Sequence, residues 1–357
     1  MRLKNISILS TILTSIVTLS VILYIILMRI DGIISGEPKP PSSPRWLKFP
    51  VIQTIDQTIR VTDPDHKLLF IGDVHGNYDE LIQLLKEHQY YKDGQLIADP
   101  NKVHITLLGD FLTKGPDSLK IADFILKYKD QIGCVLGNNE IMVLLSLLNP
   151  NHRFKFPLKF TTEDNFLPNE EFDYWNIITP RKKHYKVAKK IGLFKLSELA
   201  QHCSIVKRFD LTLSNEILFG VHAGLLPGDF ISNDEIGDKG ENNVFLGRIP
   251  KIISLVDMKY VNEKNWTETG RNIDDVQNGI KWYKVWNKYY QDDSENKPNI
   301  TVLYGHDAHN GLTLREHTKG LDSGCVNGGH LSSLEYSFHS KHGRYITHLH
   351  QVPCHRI

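Results

Sequence analysis

Short apolar runs recur along the chain, and each is followed at once by a polar segment. These runs are Leu68–Ile71, Ile105–Leu108, Cys134–Leu136, Glu216–Gly220 and Thr301–Leu303. Runs of this length predict buried strands. Between them, Leu81, Leu84 and Leu85 recur at helical spacing, and Leu119–Tyr128 repeats that amphipathic pattern. The alternation of strands and helices predicts an α/β fold, a β-sandwich flanked by helices.

The polar segments after these strands supply side chains that bind metals. In chain order these side chains are Asp73, His75, Asp110, Asn138, His222 and His306. Sites in open α/β sheets form at the carboxyl ends of strands, so we expect the six to converge. Carboxylate, amide and imidazole ligands suit zinc, manganese, cobalt or iron better than calcium. Any one of these residues alone has ordinary structural roles, and their joint order carries the prediction.

The order GDxHG, GD, GNxE, H, GH resembles the metal-dependent phosphoesterases of the calcineurin-like superfamily. The resemblance runs from about Lys67 to about Tyr336. The segments Gly305–Ala308 and Gly320–Gly329 narrow it to the branch that contains diadenosine tetraphosphatases and the membrane-anchored endopolyphosphatases of fungal vacuoles.

This resemblance implies a site with two divalent metal ions, zinc first and manganese or cobalt as alternatives. It implies that one metal is held by Asp73 and His75, that the second is held by Asn138, His222 and His306, and that Asp110 bridges them. A hydroxide between the metals would be the nucleophile, because metal binding lowers the pKa of water to about 7. The resemblance also implies a polyphosphate substrate.

The chain departs from the protein Ser/Thr phosphatases of this superfamily, which carry GDxxDRG and GNHE. Thr113 and Asn139 replace the Asp–His pair that protonates a leaving alkoxide, and Lys114 replaces the phosphate-binding Arg. A phosphate leaving group has a pKa of about 6 and can depart without a general acid. The pattern therefore favours hydrolysis of phosphoanhydrides, with Lys114 binding phosphate. His309 is an alternative acid.

Three classes of function stay open at this point. The first is an endopolyphosphatase. The second is a dinucleoside polyphosphate hydrolase or a Ser/Thr-type protein phosphatase. The third is a catalytically weak binding protein. A net charge of +1 argues against bulk nucleic-acid binding, so no specific nucleic-acid partner is expected.

A segment from about 149 to 201 interrupts the α/β rhythm and is interpreted as an inserted helical cap. It carries a basic run, namely Arg181, Lys182, Lys183, Lys186, Lys189 and Lys190. On a helix these side chains would form either a solvated face or a track for a long polyphosphate chain.

The N-terminal part predicts a membrane anchor. Residues 6–28 are free of charge and long enough to span a bilayer, after a cytosolic tail at 1–5. A cleaved signal peptide is the alternative. A proline-rich stalk at 29–66 would then hold the catalytic domain, 67–357, in the lumen of the vacuole. Anchoring in another membrane of the secretory pathway is the alternative. Asn265 and Asn299 begin glycosylation sequons, and the four cysteines are either paired or free.

Overall fold

The computed structural model describes residues 18–20, 55–146, 180–229, 252–266, 269–291 and 297–356. Residues 18–20 are helical, and no described helix is long and apolar enough to cross a bilayer. The predicted transmembrane segment at 6–28 otherwise lies outside the described residues, as do the predicted tail at 1–5 and most of the predicted stalk.

Two β-sheets carry the predicted strands. The first has the spatial order β1 (Ile59–Val61), β7 (Val206–Leu211), β8 (Glu216–Val221), β12 (Asn299–Tyr304), β14 (Thr318–Gly320) and β13 (Thr313–Leu314). The second has the order β16 (Arg344–Pro353), β15 (His330–His339), β2 (Lys67–Ile71), β5 (Val103–Leu107) and β6 (Ile132–Cys134). Strands β2, β5 and β6 run parallel, and so do β8, β12 and β14.

The described helices are α1 (Tyr78–Glu87), α2 (Ser118–Lys127), α3 (Asn138–Leu145), α4 (Lys182–Ile191), α5 (Leu193–His202), α6 (Ile252–Asp257) and α7 (Trp282–Gln291). Short 3-10 turns lie at Ile273–Asp275 and Cys325–Asn327. A hairpin joins β3 (Tyr91–Lys92) to β4 (Gln95–Leu96), and β9 (Tyr260–Asn262) pairs with β10 (Thr269–Gly270) and β11 (Gly279–Lys281).

The side chains of β2 show how the two apolar layers are divided. Leu68 and Phe70 point between the sheets, where the ring of Phe70 meets that of Phe209 edge to face at 5.2 Å. Leu69 and Ile71 point the other way, into the layer that contains the helices. Both faces of the strand are therefore buried, which explains its uninterrupted apolar sequence and confirms the predicted α/β sandwich.

Two predicted boundaries are wrong. Strand β6 ends at Cys134 rather than Leu136, and Val135 makes only an isolated bridge to Ser204. Strand β1 lies inside the predicted stalk at 29–66 and pairs in parallel with β7. The prolines that suggested a stalk end at Pro50, and the strand-forming residues after them join the sheet. The folded domain therefore begins before residue 67.

The predicted helical insertion is described from residue 180 onward and consists there of α4 and α5. The cysteines, whose state the sequence left open, form two disulfides, Cys134–Cys203 and Cys325–Cys354. The first disulfide joins the end of β6 to the end of α5 across a sequence separation of 69. It therefore ties the insertion to the sheet that carries the candidate site.

Candidate metal centre

The strand ends bring the six predicted metal ligands to one buried place. Asp73 and His75 follow β2, Asp110 follows β5, and Asn138 begins α3. His222 follows β8 and His306 follows β12, so both sheets contribute. All six are buried. Asp73, Asp110 and His222 offer ligand atoms within 4.8 Å of one another, which makes them a candidate metal site.

Asp110 lies between two imidazoles. Its Oδ2 is 3.5 Å from His75 Nε2, and its Oδ1 is 3.4 Å from His222 Nε2. A tetrahedral zinc ion with bonds of about 2.1 Å separates its ligand atoms by roughly 3.4 Å. The distance from each oxygen of Asp110 to the neighbouring imidazole nitrogen is therefore the distance between two ligands of one metal ion. The two imidazoles lie on opposite sides of the carboxylate.

Hydrogen bonds fix which nitrogen of each imidazole faces the site. His222 Nδ1 donates to the carbonyl of Leu108 at 2.9 Å, and His75 Nδ1 donates more weakly to Leu112 at 3.4 Å. In both rings this leaves Nε2 with a lone pair, directed at Asp110. His306 Nδ1 lies 3.2 Å from His222 Nε2. Two ring nitrogens and a carboxylate thus converge, as a zinc site requires.

The electrostatics of the site also suit a cation. Burial, followed by the negative charges of Asp322 and Asp110, raises the pKa of Asp73 well above its usual value. Burial lowers the pKa of His75 to about 4, which keeps the ring neutral and able to donate a lone pair. Crowded carboxylates beside neutral imidazoles are stabilised when a metal ion neutralises them.

Glycines allow the ligand loops to approach one another closely. A Cβ on Gly305 would lie 2.0 Å from Asp73 Oδ1, and a Cβ on Gly137 would lie 2.4 Å from Asp110 Oδ1. Any side chain at either position would displace a predicted ligand. The glycine that precedes His306 and the one that precedes Asn138 are therefore part of the geometry of the site.

Three predicted ligands adopt left-handed backbone conformations, which L-residues rarely adopt. The φ angles are 46° at His75, 47° at Asp110 and 68° at His306. The loops hold these conformations by bonding to one another: His75 N donates to Asp110 O at 2.8 Å, and His306 N donates to Asp73 Oδ1 at 3.0 Å. Such conformations concentrate at functional sites, where the surrounding structure enforces them.

Asn139 occupies the position of the general-acid histidine and contacts two predicted ligands. Its Nδ2 donates to Asp110 Oδ2 at 2.6 Å and to Asn138 Oδ1 at 3.2 Å. Its Oδ1 accepts hydrogen bonds from Thr113 Oγ1 at 3.0 Å and from His184 Nε2 at 3.3 Å. Thr113 and Asn139, which replace the Asp–His pair of the phosphatases, thus hydrogen-bond to each other. Asn139 orients the predicted ligands instead of carrying a transferable proton.

Asp257, at the end of α6, contacts the opposite side of the site. Its Oδ1 accepts a hydrogen bond from Asn138 Nδ2 at 2.7 Å and from Arg271 Nη1 at 3.0 Å, and it lies 3.6 Å from His306 Nε2. Within the described structure, that Nε2 has no hydrogen-bond partner. By holding the amide nitrogen of Asn138, Asp257 leaves the amide oxygen to face a metal, an arrangement common around metal ligands.

Lys114, predicted to bind phosphate, lies at the edge of the site. Its ammonium is 2.6 Å from His75 Nε2, and the residue is exposed to solvent. A metal held by His75 Nε2 and this ammonium would compete for the same lone pair. Binding of phosphate by Lys114 remains a prediction, and it requires the ammonium to turn away from His75.

A cavity of about 830 Å³ opens above the predicted ligands. Its described wall carries five cationic side chains, namely Lys114, Arg181, Lys183, Lys259 and Arg271. His184 also faces it, and so do five carboxylates, namely Asp73, Asp110, Asp257, Asp275 and Asp322. His309, the alternative acid considered from the sequence, is exposed and does not line this cavity.

Comparison with known proteins identifies the family. The calcineurin-like phosphoesterase family matches residues 66–351. This chain belongs to the calcineurin-like phosphoesterase family. The family assignment confirms the resemblance that the motif order indicated, and it makes the chain a metallophosphoesterase.

Two curated relatives and one solved structure refine the comparison. A zinc-dependent endopolyphosphatase from Saccharomyces cerevisiae is 40% identical over 322 residues, which cover 88% of this chain and 89% of the relative. A symmetrical bis(5'-nucleosyl)-tetraphosphatase from Wigglesworthia glossinidia brevipalpis is 25% identical over 285 residues, or 74% of this chain and 94% of the relative. The crystal structure of a candidate diadenosine tetraphosphatase matches with a TM-score of 0.51 at 19% identity. The match covers 85% of this chain and 99% of the chain in that structure, which supports the fold.

Several residues of the site were missed by sequence reasoning. Asp257, Arg271 and His184 come from segments without a motif, so no local signal indicated them. Asp322 belongs to the segment 320–329, which narrowed the resemblance to one branch of the superfamily. Its position in that segment was the one sequence signal that could have indicated a role in the site. It is buried and accepts a hydrogen bond from Gly324 N at 3.1 Å.

Proposed function

We propose that this metallophosphoesterase hydrolyses phosphoanhydride bonds in inorganic polyphosphate. The observation that carries the proposal is the arrangement of Asn139. Both hydrogen-bonding contacts of its amide nitrogen go to predicted metal ligands, so it offers no proton to a leaving group. A phosphate leaving group does not need that proton, whereas an alkoxide does.

His184 does not replace the missing acid. Its Nδ1 accepts a hydrogen bond from the backbone N–H of Arg181 at 2.8 Å, so the ring proton is on Nε2. Burial, then the positive charges of Lys183 and Arg181, lowers the pKa of His184 to about 4. The ring is therefore neutral near neutral pH, and a neutral imidazole is a poor proton donor.

Two divalent metal ions, zinc first, fit the donor set. Asp73 and His75 would hold one metal, Asn138, His222 and His306 would hold the other, and Asp110 would serve both. When bound, such a pair activates water and neutralises charge on the phosphoryl oxygens. The protein's own residues then supply orientation: Asn139 and Asp257 fix the ligands, and the cationic wall holds the anionic chain. The zinc dependence of the yeast relative supports this choice of metal.

The described wall of the cavity favours polyphosphate over a dinucleotide. Five cationic side chains face it, and no Tyr, Phe or Trp is among its described lining residues. Proteins that hold nucleobases commonly stack them on aromatic rings. The cavity therefore offers charge for phosphates without an evident platform for a base, although bis(5'-nucleosyl)-tetraphosphatases are among the relatives.

A substrate panel tests this function. The zinc-loaded protein would be offered long-chain polyphosphate, diadenosine tetraphosphate and a phosphoserine peptide at equal phosphate concentration. We expect the highest kcat/KM on polyphosphate, with products of intermediate length that show internal cleavage. Faster release of phosphate from the peptide would refute the leaving-group argument.

We also propose that residues 6–28 anchor the protein in the vacuolar or another secretory membrane, with the catalytic domain in the lumen. Two disulfides support this location, because disulfides persist in oxidising compartments. Asn265 and Asn299 are exposed, as glycan acceptors must be. Protease digestion of intact vesicles tests the topology: protection without detergent supports it, and digestion places the domain in the cytosol.

A further inference from the structure

The cationic wall of the cavity is assembled from separate segments of the chain. Lys114 follows β5, Arg181 and Lys183 lie at the start of α4, Lys259 follows α6, and Arg271 follows β10. A cavity of about 830 Å³ is much larger than one phosphate group requires. The cationic side chains of the wall can therefore contact parts of a ligand other than the phosphate group at the metal centre.

Three of these cations already have partners in the described structure. Arg271 donates to Asp257 at 3.0 Å, Lys259 donates to Asp307 at 2.9 Å, and Lys114 contacts His75. Arg181 and Lys183 differ, because no carboxylate of a described residue lies within ion-pair distance of either side chain. Their charges face the cavity without an ion pair to a described residue, and Asp110 is the one carboxylate among the main influences on the pKa of Lys183.

The charges on this wall repel one another. Lys183 keeps contact with solvent, yet partial burial and then the positive charge of Lys114 lower its pKa. Arg181 and Arg271 lower it further, and the negative charge of Asp110 opposes the shift without cancelling it. Repulsion among like charges is relieved when an anion binds between them. The wall therefore favours a ligand with several negative charges over one with a single charge.

A solvated helix face is the alternative explanation for a basic run on α4. It accounts for Lys182, Lys186 and Lys189, which are exposed and do not line the cavity. Arg181 and Lys183 are exposed as well, but they also line the cavity, which a solvated face alone does not explain. The basic run thus divides into a cavity-facing pair and a solvated remainder.

The cavity-facing pair is anchored to the metal centre. Arg181 N donates to His184 Nδ1 at 2.8 Å, and His184 Nε2 contacts Asn139 Oδ1 at 3.3 Å. Asn139 in turn donates to Asp110. The backbone at the start of α4 is therefore held by a chain of hydrogen bonds from the predicted metal ligands. This chain fixes where the two exposed side chains leave the helix, at the rim of the cavity.

We propose that Arg181 and Lys183 form a second anion subsite, which binds a phosphate group of a linear polyphosphate beside the phosphoryl group that is cleaved. This subsite rests on the proposed function and extends it. It makes long chains better substrates than phosphomonoesters, because only a chain can occupy the metal centre and the subsite together.

The test compares two double variants on the same helix in the zinc-loaded full-length protein. Arg181→Gln with Lys183→Gln removes the subsite, and Lys186→Gln with Lys189→Gln removes the same charge from the solvated face. Each is assayed on long-chain polyphosphate and on p-nitrophenyl phosphate, whose single phosphate cannot reach the subsite. Since the altered side chains are exposed or at the cavity wall, both variants should fold, which circular dichroism checks.

For the subsite variant we expect KM for polyphosphate to rise by about tenfold, with kcat within about twofold. We expect KM for p-nitrophenyl phosphate to stay unchanged, and the control variant to match the unaltered protein on both substrates. Lys183→Glu should raise KM for polyphosphate more than Lys183→Gln does, because it adds a repelling charge where the glutamine only removes an attracting one.

Two results would overturn the subsite: an unchanged KM for polyphosphate in the Arg181→Gln, Lys183→Gln variant, or an equal rise in the control variant. Failure of the proposed function looks different. In that case the unaltered protein would cleave p-nitrophenyl phosphate and leave polyphosphate intact.

Discussion

Asp257 is the residue whose removal should reveal how the site is held together. One oxygen, Oδ1, accepts the hydrogen bond from Asn138 Nδ2 at 2.7 Å and lies 3.6 Å from His306 Nε2. Asp257→Ala deletes both contacts, together with the ion pair to Arg271, and leaves the backbone of α6 in place. The amide of Asn138 then loses its anchor, and nothing at position 257 directs its oxygen towards the metal.

The magnitude follows from the number and kind of contacts. A hydrogen bond to a charged group is worth about 1.5–3 kcal/mol, and each 1.4 kcal/mol is a factor of about ten in affinity. Loss of the Asn138 contact therefore predicts a decrease of roughly 10–100-fold in zinc affinity, the range found for partners of metal ligands elsewhere. Asp257→Asn keeps an acceptor oxygen without its charge, so it should show a smaller decrease.

Zinc affinity would be measured by competition with a chromogenic chelator at neutral pH. Asp123→Ala is the matched control, because that exposed carboxylate pairs with Lys195 on the neighbouring helix α5. We expect the control to bind zinc like the unaltered protein. If Asp257→Ala binds zinc with unchanged affinity, Asp257 does not orient Asn138 or His306.

Three further predictions concern chemistry and stability. The double variant Thr113→Asp, Asn139→His restores a general acid. At saturating zinc it should raise the rate of alkyl phosphoester hydrolysis relative to that of polyphosphate by roughly 10²-fold. An equal effect on both substrates would contradict this prediction. Replacing Cys134 and Cys203 by Ser should lower the free energy of unfolding by about 2–5 kcal/mol, and an unchanged denaturation midpoint would be the contrary result. Burial lowers the pKa of His104 to about 3, so between about pH 7 and pH 5 the unfolded state takes up a proton that the folded state does not. The free energy of unfolding of the unaltered protein should therefore fall by about 2 kcal/mol more over that range than that of His104→Gln. Parallel curves of unfolding free energy against pH for the two proteins would contradict this prediction.

The sequence was informative wherever local pattern and topology coincide. Asp73 and Asp110 could be predicted to meet because each follows a buried strand, and parallel strands place their carboxyl ends at one edge. His222 follows a strand of the other sheet, so its arrival at the same place also depends on how the two sheets pack. The same logic gave the α/β sandwich. The strand ends were less certain, since β6 stops at Cys134 where the ladder gives way to an isolated bridge.

The residues around the ligands could not be predicted in this way. Asp257 and His184 reach the site through tertiary contacts with Asn138 and Asn139, at sequence separations of 119 and 45. No spacing rule relates such positions, because the intervening loops set their placement. Likewise, four cysteines allow three pairings, and only the fold brings Cys203 beside the end of β6.

The central claim is that Asp110 serves two metal ions in the hydrolysis of polyphosphate. Titration of the metal-free protein with zinc, followed by both metal content and shortening of long-chain polyphosphate on gels, tests it most directly. The claim predicts that activity reaches its maximum at two zinc ions per chain, and that Asp110→Asn binds both ions more weakly. Full activity with no metal, or two tightly held zinc ions and full activity in Asp110→Asn, would contradict it.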